Sequence, residues 1–210
     1  MAKIYGKFGV MGSGKSLDMI RAIYNYKERG MDVLVFKPSI DTREGSECVI
    51  KSRTGFEVKA EWIESNDSAL EVIDEKLKQS GSGNIPGPDY ILRPYEKTRA
   101  KAIFIDEVQF LSKEQVDNLQ KICYNYNIPV ICYGLKLDFQ SNLFEGSKRL
   151  IELADDIQEL IGICHCGKRA KQNARVVNGV MVSDGDVVQI GGNESYIAVC
   201  NECYYNKNIK

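Results

Sequence analysis

Gly9-Val10-Met11-Gly12-Ser13-Gly14-Lys15-Ser16 is the stretch whose reading decides the fold. It satisfies G-x-x-x-x-G-K-[ST] at every fixed position. A short strand, Lys3 to Phe8, leads into it, and a helical apolar pattern through Leu17, Ile20, Ile23 and Tyr24 follows. Glycines let backbone N–H groups close on phosphate oxygens, and the helix points its positive end at the same anion. Lys15 supplies charge to the β- and γ-phosphates, and Ser16 supplies a hydroxyl ligand for Mg²⁺. The expected ligand is therefore ATP with Mg²⁺.

Outward from this loop, strands alternate with helices. Val33 to Phe36 is a strand closed by Pro38, and Lys15 to Arg29 is a helix with Gly30 as its stop. Asp67 to Gln79 reads as a helix, Pro129 to Tyr133 as a strand, Leu143 to Ala154 as a helix and Gln158 to Ile163 as a strand. Ser112 with Gln115 fits a capping box opening a helix to Tyr126. This alternation predicts an α/β fold, a P-loop NTPase-like, mainly parallel sheet with helices on both faces. Residues 80–88, rich in glycine, serine and proline, hold no regular element, and residues 79–99 read as a flexible insertion.

Ile103-Phe104-Ile105-Asp106-Glu107 is an apolar strand ending in two acids. Asp106 in that position holds Mg²⁺, directly or through water. Glu107 beside it can take a proton from whatever attacks the γ-phosphate. Water as the attacker makes an ATPase, and a substrate hydroxyl makes a kinase; the acid pair does not separate the two.

Composition narrows the field. The 210 residues carry 28 basic and 29 acidic side chains, a formal net charge of -1. That balance gives no bulk attraction to nucleic acid or an anionic membrane. No apolar run reaches the roughly 18 residues of a membrane helix, and Met1 to Gly6 lacks signal-peptide features, so the expected location is cytoplasmic.

From Cys164 the pattern changes to cysteines, glycines and short β-like runs, which divides the chain into residues 1–160 and 161–210. Of seven cysteines, Cys164, Cys166, Cys200 and Cys203 form two close pairs. Four thiolates so arranged suit a tetrahedral structural Zn²⁺. His165, the single histidine, is the alternative to one thiolate; four free thiols is the other reading.

Taken together these residues resemble the type II thymidine kinases over nearly the whole chain. The resemblance rests on the glycine loop with Met11, Asp41-Thr42-Arg43, and Asp106-Glu107-Val108-Gln109-Phe110. It continues through Gly134-Leu135, Asp138-Phe139-Gln140, Phe144-Glu145-Gly146, Ile190-Gly191-Gly192, Tyr196 and the last cysteine pair. It implies that Glu107 is the general base on the 5′-hydroxyl of thymidine. Arg43 approaches the phosphates, and Asp106, Glu107, Val108 and Gln109 join the loop in the nucleotide-binding set. Met11, Phe110, Leu135, Phe139 and Phe144 line the nucleoside pocket. A lasso between the cysteine pairs, with Ile190, Gly191, Gly192 and Tyr196, covers the base. The family is commonly tetrameric and inhibited by thymidine triphosphate. The C-x-C first pair and the length of residues 79–99 depart from the family's usual pattern. The rivals are a nucleic-acid-dependent P-loop ATPase, which the near-neutral charge disfavours, and a non-catalytic zinc-ribbon protein using nucleotide as a switch.

Overall fold

The computed structural model describes residues 1–41, 47–80, 100–185 and 195–209. Its centre is a six-stranded sheet made of β1 (Ile4–Gly9), β2 (Asp32–Pro38), β5 (Glu61–Ile63), β6 (Ala100–Ile105), β7 (Val130–Gly134) and β8 (Asp156–Leu160). The strands run in the order β5-β2-β6-β7-β1-β8, and every pairing is parallel. Parallel pairing needs crossovers, and the helices α1 (Lys15–Lys27), α2 (Ala69–Ser80), α3 (Lys113–Tyr126) and α4 (Glu145–Leu153) supply them.

Alternation along the strands divides the core into two layers. Ile103 and Ile105 of β6 join Val130 and Cys132 of β7 against Ile73, Leu119, Ile122 and Leu150 of α2, α3 and α4. Ala102 and Phe104 join Ile131 and Tyr133 against Met19 and Ile23 of α1. Central strands are thus buried on both faces, which is why they read as continuous apolar runs. Phe104 is 1% exposed, and truncation to alanine there costs about 3–5 kcal/mol.

Several boundaries follow the sequence reading. Ser112 and Gln115 form the reciprocal capping box at the start of α3. Gly30 takes a positive φ just beyond α1. Two differences have physical causes. The single strand expected over residues 158–163 is two: β8 ends at Leu160, and β9 (Gly162–Ile163) leaves the main sheet to pair with β10 (Arg169–Ala170). Gly162 permits the exit, since a Cβ there would lie 2.5 Å from the Val10 side chain. The second difference is a hairpin, β3 (Val49–Lys51) with β4 (Glu57–Lys59), followed by β5, where no element was expected. Three-residue strands are too short for periodicity to reveal.

After β10, three antiparallel strands, β11 (Gln172–Val177), β12 (Val180–Val182) and β13 (Tyr196–Val199), form a separate sheet closed by α5 (Asn201–Tyr205). Their core, with Ala170, Ala174, Met181, Val199 and three of the paired cysteines, also contains Val10 of the glycine loop. The small sheet therefore rests directly on that loop. Residues 81–99, nearly all of the expected insertion, lie outside the described residues.

Candidate active site

The glycine loop leaves β1 at Gly9 and enters α1 at Gly14. Gly12 and Gly14 have φ of 73° and 85°, a left-handed region that costs other L-residues about 1–2 kcal/mol. Gly9 is needed for space: a Cβ would lie 2.2 Å from Ser13 Oγ. No side chain caps α1, so its first N–H groups face the loop as an anion site. Lys15 is buried, and its Nζ donates to the carbonyls of Gly9 and Val10 at 3.2 and 3.0 Å. Ser13 Oγ is buried with no hydrogen-bond partner. An uncapped helix start, an orphaned hydroxyl and a buried lysine together fit a bound triphosphate.

A cluster beneath α1 fixes its aim. Asp18 accepts from Lys7 Nζ of β1 and from the Tyr133 hydroxyl of β7, each at 2.9 Å, and from Arg21 at 2.6 Å. Burial raises the Asp18 carboxyl, but the hydrogen bonds from Arg21, Lys7 and Tyr133 outweigh it and hold the group at about 2. Burial, with the bond to Asp18, pushes the Tyr133 phenol up.

Asp106 and Glu107 sit at the carboxyl end of β6, separated from β1 by β7 alone. Two strand spacings place β6 roughly 10 Å from β1. Ligands of open parallel sheets bind along this carboxyl edge. Asp106 Oδ1 accepts from the Glu107 N–H at 3.0 Å. Glu107 is buried and has φ 49° and ψ 41°, one of five non-glycine residues at positive φ among those described. A 3₁₀ turn over Val108–Phe110 follows it. Val108 and Gln109 are buried in this turn, Gln109 with its amide between Glu107 and the Leu135 N–H.

Of the expected nucleoside-pocket residues, Phe110 and Phe144 meet edge to face with centroids 6.1 Å apart. Phe139 is buried, with Tyr196 at 6.5 Å and the Arg175 guanidinium 5.3 Å from its ring centre. Leu135 lies at the end of β7, its carbonyl accepting from the Ser147 hydroxyl. The Met11 N–H donates to Asn173 Oδ1 at 2.8 Å, a second bridge between the loop and the small sheet. Arg43, Ile190, Gly191 and Gly192 lie outside the described residues.

The sulfurs of Cys164, Cys166, Cys200 and Cys203 all lie within 4.8 Å of one another. This donor set fits a tetrahedral Zn²⁺, whose Zn–S bonds are about 2.3 Å. His165 lies against the cluster, with ring nitrogens 3.7 Å from the sulfurs of Cys164 and Cys203. Burial raises the Cys164 thiol, yet backbone hydrogen bonds from Cys166 and Cys200 and contacts with the Cys166 and Cys203 thiols bring it down to about 6.

Comparison with known proteins bears on what this edge does. The family model described as thymidine kinase matches residues 2–85 and 88–204. The thymidine kinase of Streptococcus pyogenes serotype M3 is 40% identical over 210 residues, the whole of both chains. That of Zymomonas mobilis is 41% identical over 208 residues, 99% of this chain and 98% of that protein. That of Rhodopirellula baltica is 40% identical over 201 residues, 95% of this chain and 86% of that protein.

The chain belongs to the thymidine kinase family. It is an ATP-dependent phosphotransferase. Among the described residues, no helix is long and apolar enough to cross a membrane.

Sequence reasoning missed two features of this thymidine kinase-family fold. Arg53, in the β3–β4 turn, reaches the glycine loop: a Cβ on Gly12 would lie 3.2 Å from its guanidinium. The turn signal Thr54-Gly55, with Gly55 at φ 88°, marks that hairpin in hindsight. The other is Lys37, paired with Asp41 at 3.0 Å where both are nearly fully buried, its Nζ 5.2 Å from the centre of the Trp62 ring. A lysine in an apolar strand signals such a pair, because a buried charge needs a partner.

Proposed function

We propose that Glu107 takes the proton from the 5′-hydroxyl of thymidine as ATP gives up its γ-phosphate to that oxygen. The O5′–Pγ bond forms, the bond from Pγ to the β,γ-bridging oxygen breaks, and its electron pair leaves with ADP. The observation that carries this reading is the position of Glu107: a 7% exposed carboxylate beside Asp106, on the sheet edge where the glycine loop also opens. Lys15 and the loop N–H groups stabilise charge on the phosphates. Mg²⁺, when bound by Ser16 and Asp106, neutralises charge on the β- and γ-phosphates. Arg53, and Arg43 by family resemblance, add positive charge on the same side.

Thymidine lies between Met11, Phe110, Leu135, Phe139 and Phe144, with Tyr196 and Ile190, Gly191 and Gly192 over the base. The gathering of Phe110 with Phe144, and of Phe139 with Tyr196, supports this placement. Zn²⁺ on the four cysteines is structural and anchors residues 161–210, which cover the nucleoside held by residues 1–160. Resemblance to the family supports a cytoplasmic homotetramer inhibited by thymidine triphosphate.

The test is a panel of nucleosides with ATP–Mg²⁺, scored for monophosphate, on wild type and Glu107→Gln. The variant keeps shape and loses the base, so turnover with thymidine falls by about 10²–10⁴-fold while thymidine binding changes far less. Near-wild-type turnover would remove Glu107 from this role. ATP hydrolysis stimulated by DNA and by no nucleoside would favour the ATPase reading.

A further inference from the structure

The described residues place a buried amide against the acid assigned as base. Gln109 is 3% exposed. Its Nε2 donates to Glu107 Oε2, and its Oε1 accepts from the Leu135 N–H at 2.9 Å. The two bonds allow one orientation of the amide. Turned over, it would set NH₂ against N–H and C=O against a carboxylate, two repulsions in place of two bonds.

The surrounding chain is shaped to hold this arrangement. At Gly134 a Cβ would lie 2.5 Å from Gln109 Oε1 and 2.9 Å from Val108 Cγ1. At Gly146 a Cβ would lie 2.3 Å from the Val108 carbonyl and 2.5 Å from that of Leu111. Two glycines thus let β7 and α4 close onto the 3₁₀ turn that carries Gln109. Ser147, fully buried, donates to the Leu135 carbonyl. Hydrogen bonds therefore run from Glu107 through the Gln109 side chain to the backbone of Leu135 and on to α4. The Glu107 backbone itself sits in a left-handed conformation that costs about 1–3 kcal/mol and persists only where the surroundings enforce it.

We propose that Gln109 is a positioning residue for Glu107, its side-chain amide pinning Oε2 and so fixing the direction in which Oε1 is presented to the substrate hydroxyl. This rests on the reading of Glu107 as base and goes beyond it. Gln109 touches neither reacting atom; it acts through Glu107. A carboxylate on three freely rotating side-chain bonds spends part of its time misdirected, and a displacement of about 1 Å can cost 10²-fold in rate. The second bond, to Leu135, sets the base against the strand end that borders the proposed nucleoside pocket, so acid and substrate share one frame.

The experiment is a double-mutant cycle on the full-length, zinc-loaded protein. Gln109→Met keeps length and loses both bonds. Gln109→Asn keeps the amide but shortens its reach, so that it can no longer bridge Glu107 and Leu135, and it carries the test should the methionine variant fail to fold. Each variant lowers kcat about 10–100-fold with the KM for thymidine within about threefold, as for an interaction that matters mainly in the transition state. Placed on Glu107→Gln, the same substitutions change kcat by less than about twofold, because the group they position is already gone. Losses that multiply in the double variant would show a general structural role and overturn the inference. Unchanged kcat in both single variants would do the same. Near-wild-type turnover of Glu107→Gln alone would remove the base reading and this inference with it, an outcome distinct from multiplied losses.

Discussion

Gly134→Ala isolates packing at the catalytic turn without touching any side chain that meets substrate. The added Cβ would lie 2.5 Å from Gln109 Oε1, 2.9 Å from Val108 Cγ1 and 3.3 Å from the Gln109 nitrogen. Gly134 is not among the glycines at positive φ, so the perturbation is steric and carries no backbone strain of its own. Relief requires the amide or the strand end to move by roughly 1 Å, a displacement that can cost 10²-fold in rate. Overpacking of this kind destabilises by about 1–3 kcal/mol, and each kcal/mol lowers Tm by about 2–4 °C in a protein of this size. We expect a Tm lower by several degrees and a kcat lower by at least about tenfold, with binding of an ATP analogue little changed. Calorimetric melting, steady-state kinetics with thymidine and titration of the analogue measure the three separately. A Tm within about 1 °C of wild type together with an unchanged kcat would refute the reasoning, since the amide could then leave its place at no cost.

Three other outcomes are expected. Lys15→Ala removes the charge from the proposed triphosphate site and abolishes most phosphoryl transfer at saturating nucleoside; unaltered transfer at ordinary ATP concentrations would contradict the loop's assignment. Asp18 lies at about 2 against an ordinary 3.8, so its contribution is complete above pH 4 and disappears as pH falls through 2. Solvent around the exposed Arg21 screens part of this, so Asp18→Asn lowers the unfolding free energy by about 1–2 kcal/mol at pH 7, and denaturant titrations should show the gap closing toward pH 2; a gap independent of pH would count against the cluster. Cys203→Ser loses bound zinc by elemental analysis and weakens thymidine binding, and because Val10 and Met11 rest on the small sheet it also weakens ATP-analogue binding, though less. Full zinc content would reject the ligand assignment.

Much of the site was legible because its chemistry is local in the chain. A loop of this kind offers consecutive N–H groups and the start of the helix that follows, so eight adjacent residues carry its whole signature. Asp106 and Glu107 announce themselves at the end of an apolar run for the same reason. The capping box of α3 was readable because its partners are three residues apart. Short strands β3, β4 and β5 were not, since three residues show no period, and Arg53 went unnoticed with them. Splitting of the expected strand over residues 158–163 was hidden too, because it depends on Val10, far away in the chain, occupying the space beside Gly162.

By itself the sequence determined a parallel α/β sheet, a glycine loop between a strand and a helix, two adjacent acids at a strand end, and four cysteines suited to zinc. Periodicity, turn chemistry and ligand type act over a few residues and survive in one dimension. Tertiary structure alone decided that β7 lies between the loop strand and the acid strand, that the zinc-side sheet leans on Val10 and Met11, and that Gln109 reaches back to Glu107 and across to Leu135. Those contacts join residues with no fixed spacing in the chain, and only the parallel order of the strands, with glycines at 134, 146 and 162 where no Cβ would fit, brings them within hydrogen-bonding reach.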